Sequence, residues 1–329
     1  MIMPAQIDDI YAKMAGRKNI VNRYLAWFIE GRPLTTRFRY LNLFSGLTIK
    51  LMMVFGRFLD RDITVIHVIG LGRSGTTYLG KILGLINSAV FLNEPKLAWS
   101  FAWSEDDIIG SYSKRGFYKE HLKLQGKRYQ LLLRFYQSIG CIMRSRIVID
   151  KYPEVIFRIR FLRRFFLKKT TLVYAHRDWR DVVNSIPKWN LHHANEISNW
   201  WGLHDRKWNC ISNELIPSSN YNLTKYKDSQ EDMIRAFVEW ILTVEEFLNL
   251  IEAGYDIKIF SFTYPQETLK ALLLDFGEDI KSLSWLYFEE SFNKIVYKNV
   301  KAPKDLIEIG NELNSRVLSL ISLPSLENA

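Results

Sequence analysis

The residues with the clearest chemical potential lie in one glycine-rich stretch, which reads G-L-G-R-S-G-T-T from Gly70 to Thr77. An apolar run rich in β-branched residues precedes it and is typical of a buried parallel strand. The glycines permit a tight turn that points successive backbone N–H groups into one concavity. A helix predicted from Thr76 to Leu85 then offers its N-terminus, which favours an anion. The sequence therefore predicts a phosphate-type site, lined by Gly72, Arg73, Ser74, Gly75, Thr76 and Thr77.

The cation of this loop is an arginine, and its position indicates which anion is bound. In the nucleoside triphosphatase pattern G-x-x-x-x-G-K-[ST], Gly70, Gly75 and Thr77 fit, but Thr76 occupies the lysine position. Without that lysine, triphosphate hydrolysis is disfavoured. Arg73 instead favours a single phosphate-like anion held by backbone amides, hydroxyls and one guanidinium. The alternative, a chance glycine turn, does not account for the flanking strand and helix.

A second candidate anion site follows a later predicted strand and reads H-R-D-W-R-D-V-V-N-S from His176 to Ser185. Asp178 can cap a helix, with Asp181 as its partner in a capping-box-like arrangement. Arg177 would then lie at the helix start and Ser185 about two turns further on, so both could grip one phosphate. The alternative is a surface helix with internal Asp–Arg pairs.

Both motifs resemble those of sulfotransferases that use 3′-phosphoadenosine 5′-phosphosulfate. The G-x-x-R-S-G-T-T-x-L pattern resembles the 5′-phosphosulfate loop of this family, and R-D-x-R-D-x-x-x-S resembles its 3′-phosphate motif, with Trp179 where proline is usual. The arginine in the loop is closer to the tyrosylprotein and glycan sulfotransferases than to the cytosolic small-molecule enzymes. The resemblance implies 3′-phosphoadenosine 5′-phosphosulfate as co-substrate, bound by the loop together with Arg177 and Ser185, and no metal.

The resemblance also implies catalytic roles for three residues. Glu94 would be the base that takes the acceptor proton, because a glutamate about this far beyond the loop is the proposed base of the tyrosylprotein and glycan sulfotransferases. Lys151 would contact the leaving phosphate and the sulfuryl group, with Asp150 orienting it, and Arg73 would offset charge in the transition state. The structural alternatives are a salt-bridged or capping glutamate and a solvated lysine at a strand end.

Strands alternate with helices, which predicts an α/β fold with a P-loop-type parallel sheet of about five strands flanked by helices. In such sheets, ligands bind beyond the carboxyl ends of the strands. The candidate residues lie at the carboxyl ends of the first four predicted strands: Arg73 to Thr77, Glu94, Lys151 and Arg177. Pro187 is expected to stop the helix after Asp178 near Ile186, and residues 188–230 are expected to form a long loop or lid. The predicted strands are Val65 to Gly70, Ala89 to Asn93, Arg146 to Ile149, Thr170 to Ala175 and Asp256 to Phe262.

Residues 1–62 read as a helical extension, with apolar residues at helical spacing from Ile7 to Phe28 and from Arg37 to Leu59. Residues 63–329 are expected to form one sulfotransferase-like domain. No secretory signal is evident, and the most apolar window, Leu41 to Leu59, falls short of a bilayer span because it contains Lys50 and Arg57. A cytoplasmic protein is therefore expected, with peripheral membrane contact through the basic N-terminal region as a minority hypothesis.

The net charge of +10 across 329 residues is unevenly distributed. Residues 1–62 carry ten Lys and Arg against five Asp and Glu, and residues 119–180 carry sixteen against four. No nucleic-acid-binding module accompanies these charges, so an anionic nucleotide, an acidic glycan or a lipid surface is the favoured partner class. The two cysteines, Cys141 and Cys210, imply neither a disulfide framework nor a metal site.

Taken together, the sequence predicts sulfuryl transfer from 3′-phosphoadenosine 5′-phosphosulfate to a hydroxyl or amine. The acceptor is expected to be a carbohydrate or glycoconjugate, acidic or membrane-linked. Two alternatives stay open at this point. One is a P-loop nucleotide kinase, against which Thr76 counts, and the other is a catalytically inactive glycan- or membrane-binding protein of the same fold.

Overall fold

The computed structural model describes residues 36–59, 62–86, 88–102, 122–162, 170–193, 199–276 and 300–321. The helix predicted from Ile7 to Phe28 lies outside the described residues. The assignment of residues 1–62 as a separate extension stays a prediction, although residues 36–58 within it are helical.

Five strands form a single sheet in which every neighbouring pair is parallel. The strands are β1 (Thr64–Gly70), β2 (Ala89–Asn93), β3 (Ile147–Lys151), β4 (Thr170–His176) and β5 (Ile257–Ser261). Their order across the sheet is β2-β3-β1-β4-β5, so β1 is central. It is flanked by β3, which ends at Lys151, and by β4, which directly precedes Arg177. The predicted five-stranded parallel sheet with flanking helices is confirmed, and all five carboxyl ends lie along one edge.

Helices cover both faces of this sheet and connect its strands. In chain order they are α1 (Thr36–Phe55), α2 (Thr76–Leu83), α3 (Lys96–Ala102), α4 (Leu122–Ile142), α5 (Ile159–Leu162), α6 (Trp179–His192), α7 (Arg206–Cys210), α8 (Asp232–Glu252), α9 (Pro265–Asp275) and α10 (Lys304–Ser319). A 3₁₀ turn (Gly56–Phe58) extends α1, and another (Pro153–Arg158) connects β3 to α5.

Alternate residues of β1 enter two separate apolar cores, which explains why the strand is apolar along its whole length. Val65 and Ile69 belong to the larger core, shared with α4, α6 and α8, whereas Ile66 and Val68 belong to the smaller core under α2 and α9. Both faces of the strand are thus removed from water, as in parallel sheets generally. This double burial fixes the position of the glycine loop that follows.

The helix after Asp178 does not stop at Pro187, as the sequence predicted, but α6 continues to His192. A proline inside a helix removes one backbone donor and crowds the preceding turn. The segment beyond Pro187 is nevertheless held by Asn190, whose Nδ2 donates to Asp232 Oδ2 at 2.9 Å and whose Oδ1 accepts from the Trp200 backbone N–H at 2.7 Å. These tertiary contacts override the local preference for a break.

The described residues between α6 and α8 form short packed helical turns, so the prediction of a long loop or lid is wrong for residues 199–230. Trp201 and Trp208 are buried in the larger core together with Ile211 and Leu215. The segment 211–215 is a π-helical turn continuing α7. Although the segment 199–230 is largely polar in composition, its aromatic residues pack inwards. This packing places Trp200 against the glycine loop.

Helix α1 packs through one side onto α3 and α4. Ile49 and Met53 are buried in the larger core, and Ser138 Oγ of α4 donates a hydrogen bond to the Met52 carbonyl at 2.6 Å. A Cβ at Gly56 would overlap the backbone of Arg134, so the end of this segment lies directly against α4. The other side of α1 exposes large apolar residues.

Candidate functional site

The glycine loop connects β1 to α2 by a tight turn. The Ser74 N–H donates to the Leu71 carbonyl at 3.1 Å, and Gly75, with φ of 81°, is the N-cap residue of α2. The N–H groups in the first turn of a helix have no intrahelical acceptor. Thr76 is buried and Thr77 is half-buried at that first turn, so the N-terminus of α2 lies beside the loop as an anion site requires.

Two glycines of the loop lie against aromatic rings. A Cβ at Gly72 would lie 2.5 Å from Cη2 of Trp200, and a Cβ at Gly75 would overlap the ring of Phe262. The absence of side chains at these positions lets the rings approach the backbone. The loop therefore has an aromatic residue on each side, contributed by segments about 125 and 190 residues further along the chain.

This steric relationship predicts a difference between two glycines with similar backbone conformations. Gly75 and Gly254 have φ of 81° and 78°, but a Cβ at Gly254 has no neighbouring atom within 4 Å. We expect Gly254→Ala to lower the free energy of unfolding by about 1 kcal/mol because of the positive φ alone. Gly75→Ala should cost about 1–3 kcal/mol more, because the Phe262 ring must shift. Urea denaturation of both variants measures the difference, and equal losses would show that Phe262 moves aside freely.

The structure brings together the two motifs that the sequence placed 100 residues apart. Arg73 Nε donates to Ser185 Oγ at 2.8 Å, which joins the glycine loop to the second turn of α6. Partial burial and the adjacent charge of Arg177 both lower the pKa of Arg73. Arg177 donates from Nε to Asp181 Oδ2 at 3.2 Å, and its guanidinium lies 5.5 Å from the Phe262 ring centroid. Two cations and a hydroxyl thus lie at one edge of the sheet.

Asp178 caps α6 as predicted, by accepting a hydrogen bond from the Arg180 backbone N–H at 2.8 Å. Arg180 also donates from Nη1 to Asp178 Oδ2 at 2.8 Å and from Nη2 to Asn311 Oδ1 at 2.8 Å. Its guanidinium stacks on Trp179, at 4.6 Å from the ring centroid. Of the two arginines at the start of α6, Arg180 is engaged by α10 and Trp179, whereas Arg177 faces the glycine loop.

Glu94 and Lys151 form an ion pair at the carboxyl ends of β2 and β3. The second oxygen of Glu94, Oε2, lies 3.0 Å from Lys96 Nζ. Burial alone would raise the pKa of Glu94, but the Lys151 and Lys96 ammonium groups outweigh it and hold the pKa well below its usual range. Lys151 is almost fully buried and Glu94 about a quarter exposed, so part of the Glu94 side chain is accessible from solvent.

Asp150 does not contact Lys151 through its side chain, contrary to the expected orienting role. Its Oδ2 accepts hydrogen bonds from Trp99 Nε1 at 2.7 Å and from the Tyr136 hydroxyl, and lies 3.4 Å from His67 Nδ1. Successive residues of a strand point to opposite faces, so Asp150 is directed into the larger core. Its role is to join β3 to α3 and α4, and His67 is buried as expected of a core histidine.

A network of alternating charges extends from Glu94 towards Trp200, and the sequence analysis missed it. Glu154 lies within electrostatic reach of Glu94 and Lys96, and accepts from Lys207 Nζ at 3.3 Å. Lys207 also lies 2.5 Å from Glu239 Oε1 and 5.1 Å from the Trp200 ring centroid. Glu239 Oε2 in turn accepts from the indole N–H groups of Trp200 and Trp201 at 3.0 and 3.1 Å.

This network links the two halves of the candidate site, because Trp200 lies against Gly72 at one end and Lys96 pairs with Glu94 at the other. Lys207 and Glu239 are buried, which is rare for charged residues unless they are paired. A sequence signal existed in Glu239, which lies on the apolar face of the strongly periodic helix α8. A charged residue at a core position of such a helix indicates a specific buried partner.

Backbone strain is concentrated at the same residues. Among the described residues, Arg73 and Glu94 adopt positive φ values of 69° and 43°, which non-glycine residues rarely do. His204 and Asp205, in the segment between Trp200 and Lys207, do so at 54°. Strained conformations of this kind persist only where the surrounding structure enforces them, and they cluster at functional sites. Four of the five such residues in the described part of the chain lie in or beside the proposed site.

His176 precedes Arg177 but points away from the site. Its Nε2 lies 2.8 Å from Asn314 Oδ1 of α10, and burial lowers its pKa to about 4, although the Asn314 contact opposes the shift. The histidine is therefore neutral in the folded protein near pH 7, and its Nε2 is directed at α10 and not at the glycine loop.

The buried histidine makes stability depend on pH in a defined direction. The pKa of His176 is lower in the folded than in the unfolded state, so the unfolded chain binds more protons as the pH falls below 6.5. We expect it to remove up to about 3 kcal/mol from the free energy of unfolding between pH 7 and pH 4. Urea denaturation across this range should show a shallower decline for His176→Gln. A decline identical to that of the unmodified protein would contradict the buried neutral state.

Neither the protein-family models nor the curated protein sequences contain a match to this chain. Among solved structures, the sulfotransferase STF9 from Mycobacterium avium is similar with a TM-score of 0.49 and 11% identity, covering 98% of each chain. The sulfotransferase STF1 from Mycobacterium tuberculosis H37Rv has a TM-score of 0.47 and 14% identity, covering 94% of this chain and 93% of its own. A sulfotransferase domain from the curacin biosynthetic pathway has a TM-score of 0.47 and 13% identity, and the match covers 80% of this chain and 100% of that domain.

Proposed function

We propose that the protein is a sulfotransferase that moves a sulfuryl group from 3′-phosphoadenosine 5′-phosphosulfate to an acceptor hydroxyl or amine. Support for this proposal comes from the chain's own residues. The observation that carries it is the Arg73–Ser185 hydrogen bond, with Arg177 alongside. It joins a 5′-phosphosulfate-type loop to a 3′-phosphate-type motif in one site.

The donor fits these residues by charge and shape. Two guanidinium groups held within electrostatic reach repel each other, and a multiply charged anion between them would remove that cost. The glycine loop and the first turn of α2 supply N–H donors and the hydroxyls of Thr76 and Thr77 for the 5′-phosphosulfate. Arg177 and Ser185 are available for the 3′-phosphate, in a charge-assisted arrangement.

The proposed reaction is an in-line displacement at sulfur. The acceptor oxygen or nitrogen forms a bond to sulfur while the bond from sulfur to the bridging phosphate oxygen breaks, and 3′-phosphoadenosine 5′-phosphate leaves. Glu94 takes the acceptor proton, and Lys151 and Arg73 balance the charge that develops on the leaving phosphate. This chemistry needs a carboxylate and a cation next to each other, as Glu94 and Lys151 are.

The ion pair also explains how a carboxylate with a low pKa can act as a base. Two lysines stabilise the charged form of Glu94 while no donor is bound, which makes it a weak proton acceptor. An incoming phosphosulfate competes for Lys151, and loss of that partner raises the pKa of Glu94. We propose that donor binding thereby converts Glu94 from an ion-paired carboxylate into a functional base.

The acceptor is proposed to be a carbohydrate or glycoconjugate. Support comes from the lining beyond Glu94, where Lys96 and Glu154 offer charged hydrogen-bonding groups and Trp200 offers an aromatic surface. Charged groups and an aromatic face can together hold a polyhydroxylated ring. A screen with labelled donor across sugars, phenols and amines tests this part of the proposal separately from the reaction type.

The experiment that tests the reaction type is a comparison of ligand stabilisation followed by turnover. A thermal shift with 3′-phosphoadenosine 5′-phosphate and none with ATP and Mg²⁺ is expected, since a ligand that binds the folded state raises the melting temperature. The reverse result, with Mg²⁺-dependent ATP turnover, would establish the kinase alternative. Stabilisation by the nucleotide without sulfuryl transfer to any acceptor class would instead support an inactive binding protein.

A further inference from the structure

The outer side of α1 presents a continuous apolar stripe. Seven residues of α1 and of the 3₁₀ turn that follows it share one arc of about 120° at 100° per residue. Each of them is between 49% and 76% exposed, although large apolar side chains usually lie inside a protein. These residues, here called the α1 stripe, are Leu43, Phe44, Leu47, Leu51, Val54, Phe55 and Phe58.

Basic residues lie along one edge of the α1 stripe. Lys50 and Arg57 are both exposed and fall about 20–40° outside its arc at helical spacing. Lys50 also lies 5.1 Å from the Phe101 ring centroid, so its ammonium group is held beside the helix. None of the described helices is both long and apolar enough to cross a bilayer. An apolar arc with a basic edge on such a helix is the pattern of interfacial membrane binding.

We propose that the α1 stripe docks the protein onto an anionic lipid surface, with the apolar side chains in the interface and Lys50 and Arg57 against lipid headgroups. The net charge of +10 favours this partner, because anionic membranes attract basic proteins before any apolar contact forms. The inference stands apart from the proposed reaction, since it rests only on α1 and its exposed residues.

Helix α3 connects this surface to the candidate site. Its first residue, Lys96, pairs with Glu94. Near its other end, Phe101 packs against Gly46 of α1, where an added Cβ would lie 3.9 Å from the Phe101 Cζ atom. A membrane bound to the outer side of α1 therefore lies one helix layer beyond the α3 end of the site. This position suits an acceptor that is itself anchored in the membrane.

The test is co-sedimentation of the full-length protein with vesicles of phosphatidylcholine containing 25% phosphatidylserine. The variant Leu47→Glu/Leu51→Glu places two charges in the α1 stripe and should weaken vesicle binding by more than about tenfold. The variant Leu191→Glu/Leu274→Glu makes the same change at two exposed leucines of α6 and α9 and should bind as the unmodified protein does. Binding should also weaken at high salt, and on vesicles of phosphatidylcholine alone.

Several results would overturn the proposal. The unmodified protein could remain in the supernatant, or the two double variants could lose binding equally, which would show a general charge effect. A dimer in light scattering that only the α1-stripe variant dissociates would assign the stripe to a second copy of the chain. The melting temperature of the Leu47→Glu/Leu51→Glu variant could also fall strongly while the unmodified protein fails to bind vesicles. That result would mean that another segment of the same chain packs on the α1 stripe.

Discussion

Replacing Glu94 by glutamine is expected to lower kcat by about 100- to 10,000-fold, the range typical of a lost general base. Glutamine keeps the size of the side chain but cannot accept the acceptor proton. Affinity for 3′-phosphoadenosine 5′-phosphate should be kept or rise, because an uncharged side chain no longer competes with the 5′-phosphate for Lys151, and the other groups assigned to the nucleotide lie on the glycine loop and at the start of α6. Steady-state turnover at saturating donor and calorimetric titration of the nucleotide measure the two effects separately.

Glu154→Gln is the matched control for this variant. Glu154 belongs to the same charge network but pairs with Lys207 rather than Lys151. Its replacement should reduce kcat far less than that of Glu94. Turnover close to that of the unmodified enzyme in Glu94→Gln, or a larger loss in Glu154→Gln, would remove Glu94 from the role of base.

The second large effect is expected at Arg177. We expect Arg177→Gln to weaken binding of 3′-phosphoadenosine 5′-phosphate by about 10- to 100-fold, since hydrogen bonds to charged groups contribute about 1.5–3 kcal/mol. The loss should be much smaller for 5′-AMP, which lacks the 3′-phosphate. At saturating donor, kcat should fall less than the affinity, because Arg177 is assigned to the end of the nucleotide away from the reacting sulfur.

Arg180→Gln is the matched control, as it removes a guanidinium three residues further along the chain, in the first turn of α6. Arg180 contacts Asp178, Asn311 and Trp179 instead of the glycine loop. This variant should lose some stability but retain nucleotide affinity. Equal weakening in the two variants would mean that the basic charge of α6 acts as a whole, and the specific assignment of Arg177 would be wrong.

The sheet could be predicted from sequence because its strands are short apolar runs ended by polar residues. Ala89–Asn93 was predicted with the observed bounds, and the other four strands differ by one or two residues at their ends. The errors arose where tertiary contacts decide the conformation. Asn190 holds the helix beyond Pro187, and buried tryptophans fold residues 199–230 onto the core. Neither effect has a local sequence signature.

The candidate site was predictable where motifs are contiguous and not where residues meet through the fold. The glycine loop and the segment from Arg177 to Ser185 could each be recognised alone, but the Arg73–Ser185 hydrogen bond spans 112 positions. The network of Glu154, Lys207 and Glu239 joins three separate segments with no shared motif. The aromatic contacts at Gly72 and Gly75 likewise come from segments remote in sequence.

We propose that one site of the protein binds a nucleotide at both its 5′ and its 3′ phosphate groups. Calorimetric titration of the unmodified protein with 3′-phosphoadenosine 5′-phosphate, with 5′-AMP and with ATP in Mg²⁺ tests it directly. We expect the bisphosphate to bind at least about tenfold more tightly than either other nucleotide, since the Arg177 and Ser185 contacts to a 3′-phosphate should contribute more than about 1.4 kcal/mol. Equal affinity for the bisphosphate and 5′-AMP, or tighter binding of ATP with Mg²⁺, would contradict it.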